Sequence, residues 1–176
     1  TRVPRLCGAG ELKKRDVLRL APVYDFEWSL NLDRRVFAPK KIAYFRFGKG
    51  NQKLSAVSRQ NLIDFIEFLV DQSEMFGERY CNVYNVCDEQ PYTFNTIIET
   101  FKRSPYHPDR FVLTVPLPLV WLATRVAGLV FKTKQKWLHS CFDKLAGDLV
   151  FDNERMLSTG FNPEQTLETV FLTGKK

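Results

Sequence analysis

Clusters of metal-binding or nucleophilic side chains are scarce in this chain. Its four cysteines, Cys7, Cys81, Cys87 and Cys141, form no CxxC pair, and only two histidines, His107 and His139, accompany them. A zinc site needs closer ligand spacing, so no metal is expected. Scattered thiols at this length point to free cysteines in a reducing compartment, and the expected location is cytoplasmic. The glycine-rich segments also fall short of a phosphate-binding loop. "GAGEL" (8–12) has no strand before it and no third glycine in place. "GKG" (48–50) runs into Asn51-Gln52, where a Walker loop needs a lysine and a Ser or Thr. No GxSxG, HExxH or EF-hand loop occurs. His107, in "SPYHPD", reads as a loop residue and His139 as a surface or helix-start residue. Neither has a Ser or Cys in a pattern that would make a nucleophile pair. The start of the chain has no charged n-region, apolar h-region or small-residue cleavage site, and Thr1 reads as a cut edge.

Long apolar runs are limited to "FVLTVPLPLVWLATRVAGLVF" (111–131), which Pro116 and Pro118 split and Arg125 interrupts. What remains, Leu119 to Phe131, makes a helix of about 13 residues, too short to span a bilayer. It is expected to be buried or interface-facing. Peripheral membrane contact is the lesser alternative, with Lys132, Lys134 and Lys136 as its polar support.

What the chain does have is enough apolar material for a core. It has 176 residues, 44% of them apolar and 14% aromatic, and a chain of about 150 residues buries roughly 68–70% of its unfolded surface. The net charge of +6 is uneven: residues 1–53 carry 13 Lys/Arg against 5 Asp/Glu, and the rest 13 against 15. A basic half can serve nucleic acid, an anionic membrane or a phosphorylated ligand. No zinc finger, helix-turn-helix or aromatic RNP motif supports nucleic acid, so none is expected as a partner.

The order of elements is mixed. Residues 16–24 read as an apolar strand ended by Pro22 and the Tyr24-Asp25 turn, 26–37 as loosely helical, and 41–47 as a strand. "GKGNQ" is a turn before a short strand from Leu54 to Val57. Residues 61–76 form an amphipathic helix with Leu62, Phe65, Ile66 and Leu69 on one face and Asn61 as cap. A strand over 79–86 precedes a helix over 93–104, capped by Thr93, with Phe94, Ile97, Ile98 and Phe101 inward. Residues 139–152 lead into a short strand. Asp152 caps the next helix, Gly160 occupies a left-handed C-cap, and a last helix begins at 166.

Five segments in this order resemble one superfamily. "VLRLAPVYD" is similar to the sixth parallel strand of the extended short-chain dehydrogenase/reductases, the NAD(P)-dependent epimerase/dehydratases. "GKGNQKLSAVSRQNL" resembles their glycine turn, short strand and helix cap. "VYNVCDEQPYTFNTIIETF" is similar to the strand, turn and helix that follow. "VPLPLVWLATRVAGLVF" and "LVFDNERMLSTGFNPEQTLETV" resemble the next helix and the terminal element. Together they cover nearly the whole chain.

The resemblance implies an α/β fold: the C-terminal part of a Rossmann-type protein, a mixed small sheet with packed helices, its N-terminal nucleotide-binding half absent. Residues 1–25 would be the last part of the Rossmann-like domain and 26–176 the substrate-binding region, without a clear linker. It implies NAD or NADP as cofactor, held mainly by the absent half. Leu20 would lie near the nicotinamide and Ala21 with Pro22 near the substrate. Leu54 and Ala56 fall where the family often carries an Arg and an aromatic residue for a nucleotide diphosphate. Pro22 replaces an Asn common in sugar-nucleotide epimerases, and Gln60-Asn61 replaces Asp-Asp. These departures weaken a sugar-nucleotide assignment, and the Asn61 form is similar to the hydroxysteroid dehydrogenase branch. Lys49 and Lys53 could meet a phosphate, although exposed lysines need no such role.

The implied partners are a small-molecule substrate, a sugar nucleotide among the options, and a second copy as a homodimer. A non-catalytic binding or scaffold protein of the same fold is the alternative. The family's catalytic pair is Tyr-x-x-x-Lys. Here Tyr24, Tyr44, Tyr80, Tyr84, Tyr92 and Tyr106 are followed four positions on by Trp, Gly, Tyr, Asp, Thr and Arg. No catalytic residue is therefore expected within this chain, which should be inactive alone.

Overall fold

The computed structural model describes residues 15–72, 81–130 and 145–173, together with 133, 140, 142 and 143. "GAGEL", His139, the end of the 61–76 helix and the start of the 79–86 strand lie outside the described residues.

The apolar opening segment is one run of sequence but two strands. β1 (Arg15–Leu20) pairs in parallel with β6 (Cys81–Val86), Leu20 opposite Val86, and β2 (Val23–Tyr24) pairs in parallel with β5 (Val57–Ser58). Ala21 N–H still donates to Val86 O at 3.0 Å, but Pro22 has no N–H to continue that ladder. Its carbonyl instead accepts from Val57 N–H at 3.1 Å. The chain therefore changes sheets at Pro22.

The expected 41–47 strand begins later, because Pro39–Lys41 is a 3-10 stretch kinked at Lys40, whose φ is +59°. β3 (Tyr44–Phe47) then pairs in parallel with β8 (Val112–Val115). The expected Leu54–Val57 strand divides: β4 (Lys53–Leu54) runs antiparallel to β7 (Tyr92–Thr93), and β5 belongs to the other pair.

Helix α1 (Leu30–Val36) buries Leu32 and Val36. Helix α2 (Arg59–Asp71) starts two residues before the expected one, and its cap is Ser58, whose Oγ accepts from Asn61 N–H at 3.0 Å. Asn61 is not the cap, and Ile66 is turned to solvent. Helix α3 (Phe94–Arg103) follows the sequence closely. Thr93 caps it, and Phe94, Ile97, Ile98 and Phe101 are all buried, each side chain worth about 1.5–3 kcal/mol of burial.

Of the two expectations for helix α4 (Leu117–Val130), burial or an interface-facing position, burial fails: Leu119, Trp121, Leu122, Val126 and Leu129 are exposed. Helix α5 (Glu154–Leu157) has Asn153 at its N-cap, though Asp152 Oδ1 still accepts Glu154 N–H at 3.0 Å. Gly160 has φ +90° as expected, and Thr169–Thr173 ends the chain's described part in a π-helical turn. No helix among the described residues is long and apolar enough to cross a membrane.

Two buried clusters meet along the strands. One joins Tyr24, Leu32, Tyr44, Leu54, Ile97, Phe101, Leu167 and Phe171; the other joins Val57, Phe65, Tyr84, Val86 and Met156. The turn before β4 is set by Gly50, at φ +70°. A Cβ there would collide with the Asn95 side chain, which donates to Lys49 O at 2.8 Å.

Candidate binding cleft at the sheet switch

The switch at Pro22 opens a cleft of about 350 Å³, lined by Leu20, Ala21, Pro22, Val23, Trp28, Asn31 and Arg35. Strands that part at the carboxyl ends of a parallel pair leave such a crevice. A reciprocal backbone pair, Asp25 N–H to Trp28 O at 2.8 Å and Trp28 N–H to Asp25 O at 3.1 Å, closes the turn that holds Trp28 at the rim. The Asp25 carboxylate braces that turn, accepting Phe26 N–H at 2.8 Å and pairing with Arg59 at 2.7 Å. Because α1 commits Leu32 and Val36 to the core, Asn31 and Arg35 fall together on its adjoining face. Burial lowers the Arg35 guanidinium from its ordinary value, as desolvation disfavours the charged form.

The resulting surface is an apolar floor with an indole, an amide and a guanidinium at its edge. It can hold a flat or apolar group and orient an anionic or carbonyl oxygen. Among the described residues its lining contains no carboxylate, imidazole, thiol or hydroxyl, and so no side chain suited to transfer a proton at neutral pH.

Of the sequence-derived site residues, Leu20 (46% exposed), Ala21 and Pro22 line this cleft. Leu54 and Ala56 are buried in the core instead: Leu54 lies opposite Tyr92, and Ala56 O accepts Asp88 N–H at 2.8 Å. Trp28, Asn31 and Arg35 were not singled out from sequence. Their spacing of three and then four residues was the available signal.

Two polar constellations outside the cleft resemble sites but are ties. Asp88 is buried after β6, with Oδ2 accepting from Tyr24 (2.7 Å) and Tyr92 (2.8 Å). Its Oδ1 accepts from Ser58 N–H (2.9 Å) and Asn61 Nδ2 (2.7 Å). Asn61 also exchanges two hydrogen bonds with the Gln165 backbone, and Tyr92 Oη accepts from Leu167 N–H. Burial pushes the Asp88 carboxyl up despite these donors, and pushes both tyrosines up. Every lone-pair direction of the carboxylate is taken up by the protein itself.

The second group gathers Ser29, Asp33 and His107. Ser29 Oγ and Asp33 Oδ1 both approach His107 Nε2, at 3.1 and 3.2 Å, while Nδ1 is buried without a partner. A catalytic triad requires opposite ring nitrogens. The imidazole lies in the loop after α3, as expected, yet is buried there with its ring 3.9 Å from the Phe101 ring and nearly parallel to it. Burial would raise the Asp33 carboxyl, but hydrogen bonds from His107, Lys41 and Ser29 outweigh it and hold it below its ordinary value. Cys87 is a free, buried thiol pushed up to about 11 by burial, hence protonated and inert. Among the described residues no His, Cys, Asp or Glu side chains gather as a metal site.

The architecture is an α/β Rossmann-like fold, similar to the folds of several solved epimerase structures. It is similar to UDP-N-acetylglucosamine 4-epimerase from Bacillus cereus, with a TM-score of 0.53 and 11% identity over 88% of this chain and 43% of that one. A human epimerase family protein, in a structure with NADPH, gives 0.54 and 16% over 89% and 46%. ADP-L-glycero-D-manno-heptose-6-epimerase from Helicobacter pylori gives 0.51 and 16% over 88% and 40%. The chain thus spans less than half the length of each. No protein-family model matches it, and no curated protein matches its sequence.

Proposed function

We propose that this chain is the substrate-binding portion of a longer NAD(P)-dependent epimerase/dehydratase-like oxidoreductase acting on a sugar nucleotide or a related alcohol or carbonyl substrate. The observation that carries the reading is the position of the cleft, at the carboxyl end of the parallel β1–β6 pair where Pro22 diverts the chain. In this reading residues 1–25 complete a nucleotide-binding domain, and 26–176 select the substrate. NAD or NADP, the glycine fingerprint and the Tyr-x-x-x-Lys pair belong to the remainder of the protein. Leu20 borders the nicotinamide, and Ala21 and Pro22 face the substrate. Trp28, Asn31 and Arg35 grip its far side. Leu54 and Ala56, buried in the core, take no part in the cleft.

The test is titration of the chain with UDP-N-acetylglucosamine, followed by isothermal calorimetry, in the parent and in Arg35→Ala. Saturable binding weakened roughly tenfold or more by losing the charged donor supports the reading. Binding indifferent to Arg35, or absent from the longer protein, refutes it. The apolar floor of Leu20, Ala21, Pro22 and Val23 favours one second reading, an apolar substrate of the hydroxysteroid kind. A steroid ligand displaced by no sugar nucleotide would select it.

A further inference from the structure

Helix α4 is built the wrong way round for a helix whose only partner is the protein. Its inward stripe is Leu117, Val120, Thr124, Ala127 and Gly128, small or polar toward its end. Its larger aliphatic side chains form a second stripe at helical spacing, Leu119, Leu122, Val126 and Leu129, and these are 53–74% exposed. Trp121 stands beside them, 45% exposed, with the Arg125 guanidinium 5.0 Å from its ring centroid. Phe111, just before β8, and Leu113 on it are also exposed. Contiguous apolar surface of this kind marks an interaction site.

Charge identifies the partner. From Arg110 to Phe142 the sequence carries five basic residues, Arg110, Arg125, Lys132, Lys134 and Lys136, and no acidic one, although the whole chain has 20 Asp/Glu. Two copies meeting through this face would bring basic segments together, since the nearest acidic residues, Asp109 and Asp143, lie outside the 110–142 stretch. An anionic lipid surface meets both features at once: headgroups for the cations, acyl chains for the aliphatic stripe, and the headgroup boundary for the indole. At 14 residues the helix is about 21 Å long, too short to cross a hydrocarbon core of about 30 Å but suited to lying in its plane.

We propose that α4 docks this protein on an anionic membrane surface, its Leu119–Leu122–Val126–Leu129 stripe inserted and its flanking cations on the headgroups. The test is sedimentation of the full chain with vesicles of phosphatidylcholine alone and of equal parts phosphatidylcholine and phosphatidylglycerol, for the parent, for Leu122→Asn/Leu129→Asn, and for Lys132→Gln/Lys134→Gln/Lys136→Gln. Circular dichroism checks that every variant is folded. Binding to the anionic vesicles at least about tenfold above the neutral ones, lost at high salt and in both variants, is the expected result. Absence of binding by the folded parent overturns the proposal. So does anionic binding that the leucine variant retains, which would move the contact to the basic first third of the chain. Self-association in solution that the leucine variant abolishes would assign the face to a second copy instead.

Discussion

The knot around Asp88 and the cleft below Pro22 lie at the ends of neighbouring strands, yet they are opposite in chemistry. The knot is dense in polar groups, buried and saturated: one carboxylate receives four donors, and its neighbours fasten residues 165–167 to α2 and β7. The cleft is open and poor in polar groups, with an indole, an amide and a guanidinium over an apolar floor. Polar density here marks where distant parts of the chain are tied. The cleft proposed for a ligand has few polar groups over an apolar floor.

The largest expected effect breaks the knot. Asp88→Ala strands four donors in a dry interior and should cost on the order of 4 kcal/mol in chemical denaturation. Asn61→Ala removes one donor to Asp88 and both ties to Gln165. It should cost about 2 kcal/mol and speed proteolysis near residue 165. Measured together, the two should be clearly non-additive, because they share one network. Gly50→Ala, at a positive φ and against Asn95, should cost about 1–2 kcal/mol.

The two buried aspartates sharpen the contrast through pH. The folded Asp33 carboxyl is held below its ordinary value of 3.8. Its contribution is therefore full above that pH and lost as pH falls through the folded value. Asp88 is shifted the other way, so its contribution is full below 3.8 and lost as pH rises through its folded value. In thermal melts from about pH 2 to about pH 6, Asp33→Asn should flatten the loss of stability at the acid end. The smallest effect belongs to the cleft: Arg35→Ala should change stability by about 1 kcal/mol or less while weakening ligand binding.

What could be read from the sequence follows from how local each decision is. Helix α3 was legible because Thr93 and the spacing of Phe94, Ile97, Ile98 and Phe101 agree with the fold around them. The α2 cap was misplaced because Ser58 and Asn61 are both good caps three residues apart. What separates them is Asn61's engagement with Asp88 and Gln165, the latter 104 positions away. The split at Leu54–Val57 is non-local in the same way, since two different strands claim its two ends. For α4 the apolar pattern was visible, but that no described element covers its exposed stripe is a tertiary fact. In the cleft, Pro22 announced itself as a strand breaker, whereas Arg35 was one of 13 cations in a basic stretch.

The division of labour between this chain and a nucleotide-binding half is the central claim. Its most direct test is titration of the 176-residue chain with NADH and NADPH, read by cofactor fluorescence and by turnover. The account predicts no saturable binding and no hydride transfer by the chain alone, with both present in a longer protein that carries the glycine fingerprint and the Tyr-x-x-x-Lys pair. Tight, saturable binding of either cofactor to the isolated chain would contradict it.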